Sequence, residues 1–320
     1  KGYLVKIAIL DDYQNVVKEL DCFKLLDGHD ILILTDTYSE DILLEKLVDV
    51  DVLVLIRERT EITETLLSKL PNLKLISQTG KVSNHIDLEV CKKYNVDVLE
   101  GRGSPVAPSE LCWALIMSAS RNIPSYVSNL EENKWQNSGS LGLGRTLSSL
   151  TLGIWGYGKI GQRIAQYAKV FGMNVIVWGR EASRTKAVED GFSSASSKVE
   201  FFTQSDVLTL HLRLNDMTRS CVTKGDLEVM KRDSLFVNTS RAELVESGAL
   251  YEELFEHSSK RAALDVYEVE PATLENQPLI SLSNVLAVPH LGYVEQNSYE
   301  LYFKIAFENV LTYIERGPKT

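Results

Sequence analysis

One glycine pattern and three polar segments have residue types and spacings that can do chemistry. Gly156-Tyr157-Gly158-Lys159-Ile160-Gly161 reads G-x-G-x-x-G. Glycines recur by chance, so the six residues alone say little, but their setting says more. They follow directly on the apolar run Leu152–Gly156 and open a helical pattern that ends near Phe171. A second apolar run, Val175–Trp178, comes at the distance a β-turn-α-β unit requires. In that setting Gly156 permits a tight turn, Gly158 lets a pyrophosphate approach the backbone, and Gly161 lets helix and strand pack closely. The amides near Lys159 and Ile160 face the phosphates at the positive end of the helix, so the whole turn, Tyr157 included, is assigned to a dinucleotide.

The carboxylate that would hold the ribose 2′-hydroxyl of NAD is missing from the end of the second strand. Trp178 is followed there by Gly179, Arg180 and Glu181. Arg180 can meet the 2′-phosphate of NADP, and Glu181 can take over the ribose, so the choice between NAD and NADP stays open. The three polar segments are Phe236-Val237-Asn238-Thr239-Ser240-Arg241, then Ala263-Leu264-Asp265-Val266-Tyr267-Glu268-Val269-Glu270-Pro271, then Val288-Pro289-His290-Leu291-Gly292. Each puts polar groups just after a predicted strand, where α/β proteins place ligands.

The elements that must position these groups follow from the apolar pattern. In the first hundred residues, Leu4–Leu10, Ile31–Leu34, Val52–Ile56, Leu73–Ile76 and Val96–Leu99 read as buried strands. Amphipathic helices are expected between them over Ser39–Val48, Thr63–Leu70 and Ile86–Tyr94. A long helix spans roughly Val106–Arg121, and the polar, Gly/Ser-rich stretch Ser125–Leu150 reads as a connection or protruding segment. A second strand series follows: Leu152–Gly156, Val175–Trp178, Val207–Leu212, Leu235–Asn238, Ala262–Val266 and Val285–Val288. The last element is an amphipathic helix, about Val294–Glu315. Two strand–helix series imply an α/β chain of two doubly wound, parallel-sheet, Rossmann-like domains, with a ligand site expected in the crevice between them.

Length and composition agree. The 320 residues allow two domains, each with its own core. A formal net charge of -10 argues against a non-specific nucleic-acid or anionic-membrane binder, which needs a basic face. Cys22, Cys91, Cys112 and Cys221 lie far apart without metal-ligand spacing, so reduced thiols in a cytoplasmic protein and no metal site are expected. No apolar run approaches the ~20 residues of a membrane helix. Lys1–Leu10 lacks a signal-peptide pattern, and the absent initiator Met suggests a chain trimmed at its start.

These segments, with Asp206-Val207-Leu208-Thr209-Leu210-His211 and Met230-Lys231, resemble the D-isomer-specific 2-hydroxyacid dehydrogenase family, which includes phosphoglycerate, glycerate and D-lactate dehydrogenases. The resemblance covers nearly the whole chain. It implies an oxidoreductase that moves a hydride between NAD or NADP and a small D-2-hydroxy acid or 2-keto acid. It implies a flavodoxin-like substrate domain at 1–103 and 298–320, and an NAD(P)-binding Rossmann domain at 104–297. It also implies a homodimer, with Val106 to about Leu150 as the contact.

The family's catalytic Arg, Glu and His map onto Arg241, Glu270 and His290. Glu270 is preferred to Glu268 because it immediately precedes Pro271. His290 would give and take the proton at the substrate oxygen, Glu270 would hold the ring's other nitrogen, and Arg241 would fork onto the carboxylate. The resemblance places Asp265 near the nicotinamide. Thr239, Ser240, His211, Leu212, Arg213 and Gly292 follow with the cofactor cleft, as do Trp178, Gly179 and Arg180. A substrate loop matches Thr79–Asp87, with Gly80, Lys81 and Val82 as binding residues; Arg57, or Arg59 beside it, would read a distal charge. His85 is expected to be structural.

Departures from the family pattern are equally plain. Val82 stands where a second glycine is usual, Arg213 where Pro is usual, and Ala242 where Gly is usual. Arg180 with Arg213 could form a 2′-phosphate site. The rival from another class is a dinucleotide-sensing, corepressor-like protein on the same fold. A short-chain dehydrogenase would need Tyr-x-x-x-Lys, which does not occur. A formate dehydrogenase would pair Gln rather than Glu with its histidine.

Overall fold

The computed structural model describes residues 4–316; residues 1–3 and 317–320, part of the expected substrate domain, lie outside the described residues. The chain divides into two compact units, residues 4–104 with 295–316, and residues 105–294. Each is built on one parallel sheet, as the sequence implies.

In the first unit β1 (Lys6–Ile9), β2 (Asp30–Ile33), β3 (Val52–Leu55), β4 (Leu75–Gln78) and β5 (Asp97–Leu99) pair in the order β2-β1-β3-β4-β5. This is the flavodoxin-like order. β3 reads VLVL and every residue of it is buried, the pattern of a strand covered on both faces. On one face Ala8, Leu53, Leu55 and Ile76 pack with Leu43 and Leu47 of α1 (Glu40–Leu47), Leu66 and Leu67 of α2 (Glu64–Ser68) and Cys91 of α3 (Leu88–Lys93). Thr63 and Asp87 start α2 and α3 by accepting first-turn amides, so the loops before these helices end at fixed points. The C-terminal helix, Gln296–Arg316, packs on β4. Its Phe303 and Phe307 are fully buried, and its Ala306 carbonyl accepts from Ser77 Oγ at 2.8 Å.

The second unit holds β6 (Thr151–Trp155), β7 (Asn174–Trp178), β8 (Ser193–Ser194), β9 (Val207–Leu210), β10 (Leu235–Asn238), β11 (Arg261–Leu264) and β12 (Val285–Ala287), in the order β12-β11-β10-β9-β6-β7-β8. Numbered from β6, that is the Rossmann order with one added strand. Its helices are α4 (Val106–Ser120), α5 (Ile123–Glu131), α6 (Lys159–Val170), α7 (Glu181–Glu189), α8 (Lys198–Gln204), α9 (Lys224–Glu228) and α10 (Ala249–Glu256). Side chains alternate across the sheet. Leu152, Ile154, Val177, Val207 and Val237 join α4 and α6 in one core, while Ile176, Leu208, Leu210, Phe236 and Leu264 join α8, α9 and α10 in the other.

The stretch Ser125–Leu150 needs correction, because its first residues continue α5. That helix buries no residue, so its apolar positions Ile123, Val127 and Leu130, though at helical spacing, join no core. β8 also went unread: two serines have no apolar signature.

Candidate active site

The C-terminal ends of three adjacent parallel strands, β10, β11 and β12, carry the three polar segments. After β12 the backbone turns through Val288 and Pro289 to His290, whose φ is +53°. His290 Nδ1 lies 2.7 Å from Glu270 Oε2. Glu270 Oε1 accepts the Tyr267 amide at 3.0 Å, which fixes the carboxylate from behind. Tyr267 is buried, and its hydroxyl donates to the Val288 carbonyl at 2.8 Å, tying the loop after β11 to the loop after β12. Glu268, the competitor in sequence, is exposed and meets Ser247 Oγ at 3.3 Å instead.

Asp265 sits under the same loop with 1% of its surface exposed. Its two oxygens accept the amides of Leu291 (2.5 Å) and Gly292 (3.0 Å). Burial pushes its carboxyl up to about 6, against the pull of these amides and of His290. Arg241 begins the 3-10 turn Ala242–Leu244 beyond β10. Its carbonyl is held by Asn238 Nδ2 at 2.8 Å and its guanidinium donates to the Ser240 carbonyl at 2.6 Å. Ser240 Oγ donates to Leu210 O at 2.7 Å, pinning this segment to β9.

The glycine turn follows β6. Gly156 has φ +98°, and a Cβ there would lie 2.2 Å from the His211 carbonyl; one on Gly161 would lie 2.2 Å from the Gly156 carbonyl. These two glycines are demanded by the protein's own packing. Gly158 is different, because a Cβ added there meets nothing within 4 Å. Its bareness answers to no neighbour in the chain and fits the close approach of a phosphate at the start of α6. The turn therefore suits a dinucleotide, held by the backbone of residues 158–161. Tyr157 departs from expectation. Its side chain is 4% exposed and turns inward to give a 2.8 Å hydrogen bond to Asp190, so only its backbone belongs to the turn. Lys159 is exposed, and Ile160 packs on the core.

His211 points its ring at Thr209 Oγ1 (3.0 Å) and the Cys112 sulfur (4.0 Å), and burial pushes its imidazole down to about 4. Leu212 packs on the core near Gly156. Thr239 stands beside Cys112. Arg180 and Arg213 are both exposed, and neither side chain has a hydrogen bond or ion pair among the described residues. Sequence reasoning missed Arg184, whose guanidinium lies 5.2 Å over the Trp178 ring with Nε on the Gly179 carbonyl at 3.2 Å. Arg180 is the residue before α7 and Arg184 lies within it, so helical spacing does not link their side chains and no local pattern marked Arg184.

In the first unit, Arg57 has φ +49° and follows β3. Its NH1 donates to the Thr79 carbonyl at 3.2 Å and lies where a Cβ on Gly80 would fall, 2.1 Å away. Gln78, fully buried, gives both Nε2 hydrogens to Arg57 O and Thr79 O, while its Oε1 faces His85 at 2.9 Å. His85 thus faces the side chain that spans the Arg57 and Thr79 carbonyls. Lys81 pairs with Glu100 at 2.7 Å, and the Val82 amide donates to the other oxygen of Glu100 at 2.9 Å. Glu100, just after β5, meets this loop from another strand and carries no local signal of that contact. Arg59 is committed elsewhere, to the Asp11 carbonyl at 2.7 Å and the Tyr299 hydroxyl at 3.2 Å.

With this geometry in place, comparison with known proteins is decisive. The family described as D-isomer specific 2-hydroxyacid dehydrogenase, NAD binding domain, matches residues 113–292, more than half of the chain. The chain belongs to the D-2-hydroxyacid dehydrogenase family. It is 33% identical over 271 residues to a hydroxypyruvate reductase of Thermotoga maritima, covering 84% of this chain and 86% of that one. It is 32% identical over 290 residues to a D-3-phosphoglycerate dehydrogenase of Methanocaldococcus jannaschii, covering 90% of this chain but 53% of the relative, so it spans about half of that protein. A solved phosphoglycerate oxidoreductase from Vibrio cholerae o395 is 63% identical, with a TM-score of 0.97 over 98% of this chain and 100% of its own.

Proposed function

We propose that this family member is an NAD(P)-dependent oxidoreductase that interconverts a small D-2-hydroxy acid and its 2-keto acid, of the phosphoglycerate, glycerate or hydroxypyruvate kind. The observation that carries the reading is the Glu270–His290 pair at 2.7 Å, set beside the Arg241 segment on a family NAD-binding domain. A bound nicotinamide would accept or supply the hydride. Because a carboxylate only accepts, the His290 Nδ1 facing Glu270 carries hydrogen, and Nε2 is left to exchange a proton with the substrate oxygen. Arg241 would take the substrate carboxylate with its planar fork. Asp265 and the residue 158–161 backbone would hold the dinucleotide.

In the other unit the loop bearing Gly80, Lys81 and Val82, with Arg57 against Gly80, is assigned to substrate. It already meets a carboxylate, Glu100, through one ammonium and one amide. The corepressor-like alternative would need no proton-transfer pair and is not favoured by relatives named as reductases and dehydrogenases.

A homodimer is part of the proposal. On α5 Ile123, Val127 and Leu130 are each about half exposed and share one face, and Trp135 and Leu143 beyond it are exposed as well. No helix among the described residues is long and apolar enough to cross a membrane. Cytoplasmic residence is proposed because all four cysteines are free and three are buried.

The test is decay of nicotinamide absorbance with a panel of 2-keto acids, run with NADH and NADPH in parallel. Turnover of at least one acid is expected, together with its loss in His290→Ala at unchanged dinucleotide affinity. Dinucleotide binding without turnover across the panel would instead support the sensor reading, and turnover retained by His290→Ala would remove His290 from its role.

A further inference from the structure

We propose that the end of β7 is a 2′-phosphate subsite, formed by Arg180, Ser183 and Arg184, which makes NADP(H) the preferred dinucleotide. The subsite presupposes the dinucleotide reading above, since the Gly156–Gly161 turn must hold the pyrophosphate for the ribose to arrive here.

Three observations meet at this point. The Gly156 amide donates to the Trp178 carbonyl at 3.1 Å, so the last residue of β7 is bonded to the phosphate turn itself. A ribose attached to a pyrophosphate at that turn has the end of β7 as its floor. The position that must carry a carboxylate to accept two ribose hydroxyls carries none: the strand ends Trp178-Gly179-Arg180. The first carboxylate, Glu181, is exposed in the first turn of α7.

What stands there instead is cationic and fixed. Arg184 is positioned by the Trp178 ring, whose centroid lies 5.2 Å from its guanidinium carbon, and by its Nε bond to the Gly179 carbonyl. Its two terminal nitrogens have no hydrogen bond to any described residue. A guanidinium positioned in this way has less side-chain freedom to lose when a ligand arrives and presents a fork matched to phosphate oxygens. Arg180, the N-cap of α7, adds a second guanidinium with no hydrogen bond among the described residues, and its carbonyl accepts the Arg184 amide at 3.1 Å. Ser183 lies against Gly179: a Cβ on Gly179 would stand 3.8 Å from the Ser183 Cβ and 3.8 Å from the Gly156 amide nitrogen. Gly179, with φ +143°, has the Gly156 amide nitrogen, the Ser183 Cβ and the Trp155 ring within 4 Å of where a Cβ would stand, so the phosphate turn and the first turn of α7 meet here. A hydroxyl pair of neutral ribose would gain little from two guanidinium groups; a phosphate dianion would be held by both. Arg213, paired with Arg180 on sequence grounds, follows β9, which does not neighbour β7, and is not needed.

Isothermal titration of the whole protein with NADPH and with NADH, no keto acid present, tests this without reference to turnover. NADPH is expected to bind at least tenfold more tightly. Arg180→Ala and Arg184→Ala should each weaken NADPH tenfold or more while leaving NADH within about twofold, which also shows that the variants are folded. Arg184→Lys should fall between, because it keeps the charge and loses the fork. Equal or tighter binding of NADH overturns the subsite, as does a loss shared equally by both dinucleotides. Tighter NADH binding that disappears in Glu181→Ala would overturn it in favour of a ribose carboxylate. An NADPH preference with no turnover of any keto acid would leave the subsite standing and sink the dehydrogenase reading alone.

Discussion

His211, part-buried against Thr209 and Cys112, and Asp265, buried, are both shielded from water, and this moves them in opposite directions, since water is withdrawn from a cation in one case and an anion in the other. The unfolded imidazole takes a proton near 6.5 and the folded one only near 4. Between those values the unfolded chain holds the extra proton, so the contribution of His211 is present above 6.5 and is lost as the pH falls. Asp265 has the reverse sign: its folded carboxyl keeps a proton up to about 6, so its contribution is lost as the pH rises from 3.8 through 6. Comparing parent with His211→Asn cancels Asp265 and isolates the histidine. Between pH 7 and pH 5 the parent should lose about 1–2 kcal/mol more than the variant, read from urea midpoints. Equal losses would mean that the ring is hydrated. At this scale Arg241, Glu270 and His290 were legible because each follows a strong strand signal within a recognisable segment. Glu100 and the inward turn of Tyr157 were not. Each depends on where a distant backbone brings its partner, Lys81 in one case and Asp190 in the other, and no local pattern encodes that.

The turn into α6 separates two reasons for a glycine. Gly161 is required by a backbone carbonyl 2.2 Å from any added Cβ, whereas Gly158 faces open space. Gly161→Ala should therefore cost about 1–3 kcal/mol in denaturant unfolding as the helix is pushed off the strand. Gly158→Ala should cost under about 1 kcal/mol, the scale of an unfavourable N-cap, yet weaken dinucleotide binding at least tenfold. If Gly158→Ala binds as tightly as the parent, the phosphates do not approach there. The same contrast explains what the sequence could say about elements. Strands buried on both faces announced themselves as unbroken apolar runs, Val52–Leu55 above all. β8, with two serines, has no apolar signature, while α5 carries Ile123, Val127 and Leu130 at helical spacing inside a stretch otherwise rich in polar residues and joins no core. Arg184 was hidden one level up, since its position follows from where α7 starts relative to Trp178 and Gly179 at the end of β7.

For the whole molecule, the exposed face of α5 predicts assembly. Sedimentation equilibrium should return about twice the 35.9 kDa chain mass for the parent and the single mass for Val127→Glu/Leu130→Glu. A monomeric parent would remove the dimer. The order of the two units along the chain has a separate consequence. The first unit is written in two pieces, and its last piece, the helix with Phe303, Phe307 and the Ala306 carbonyl that receives Ser77, is made after the entire second unit. At ~5–20 residues per second, a ribosome would take roughly 10–40 s to translate residues 105–294. During that interval β4 waits with an apolar face uncovered while its neighbour folds to completion. The nascent chain thus carries a timed window in which a chaperone has something to hold, and release is set by the arrival of two phenylalanines.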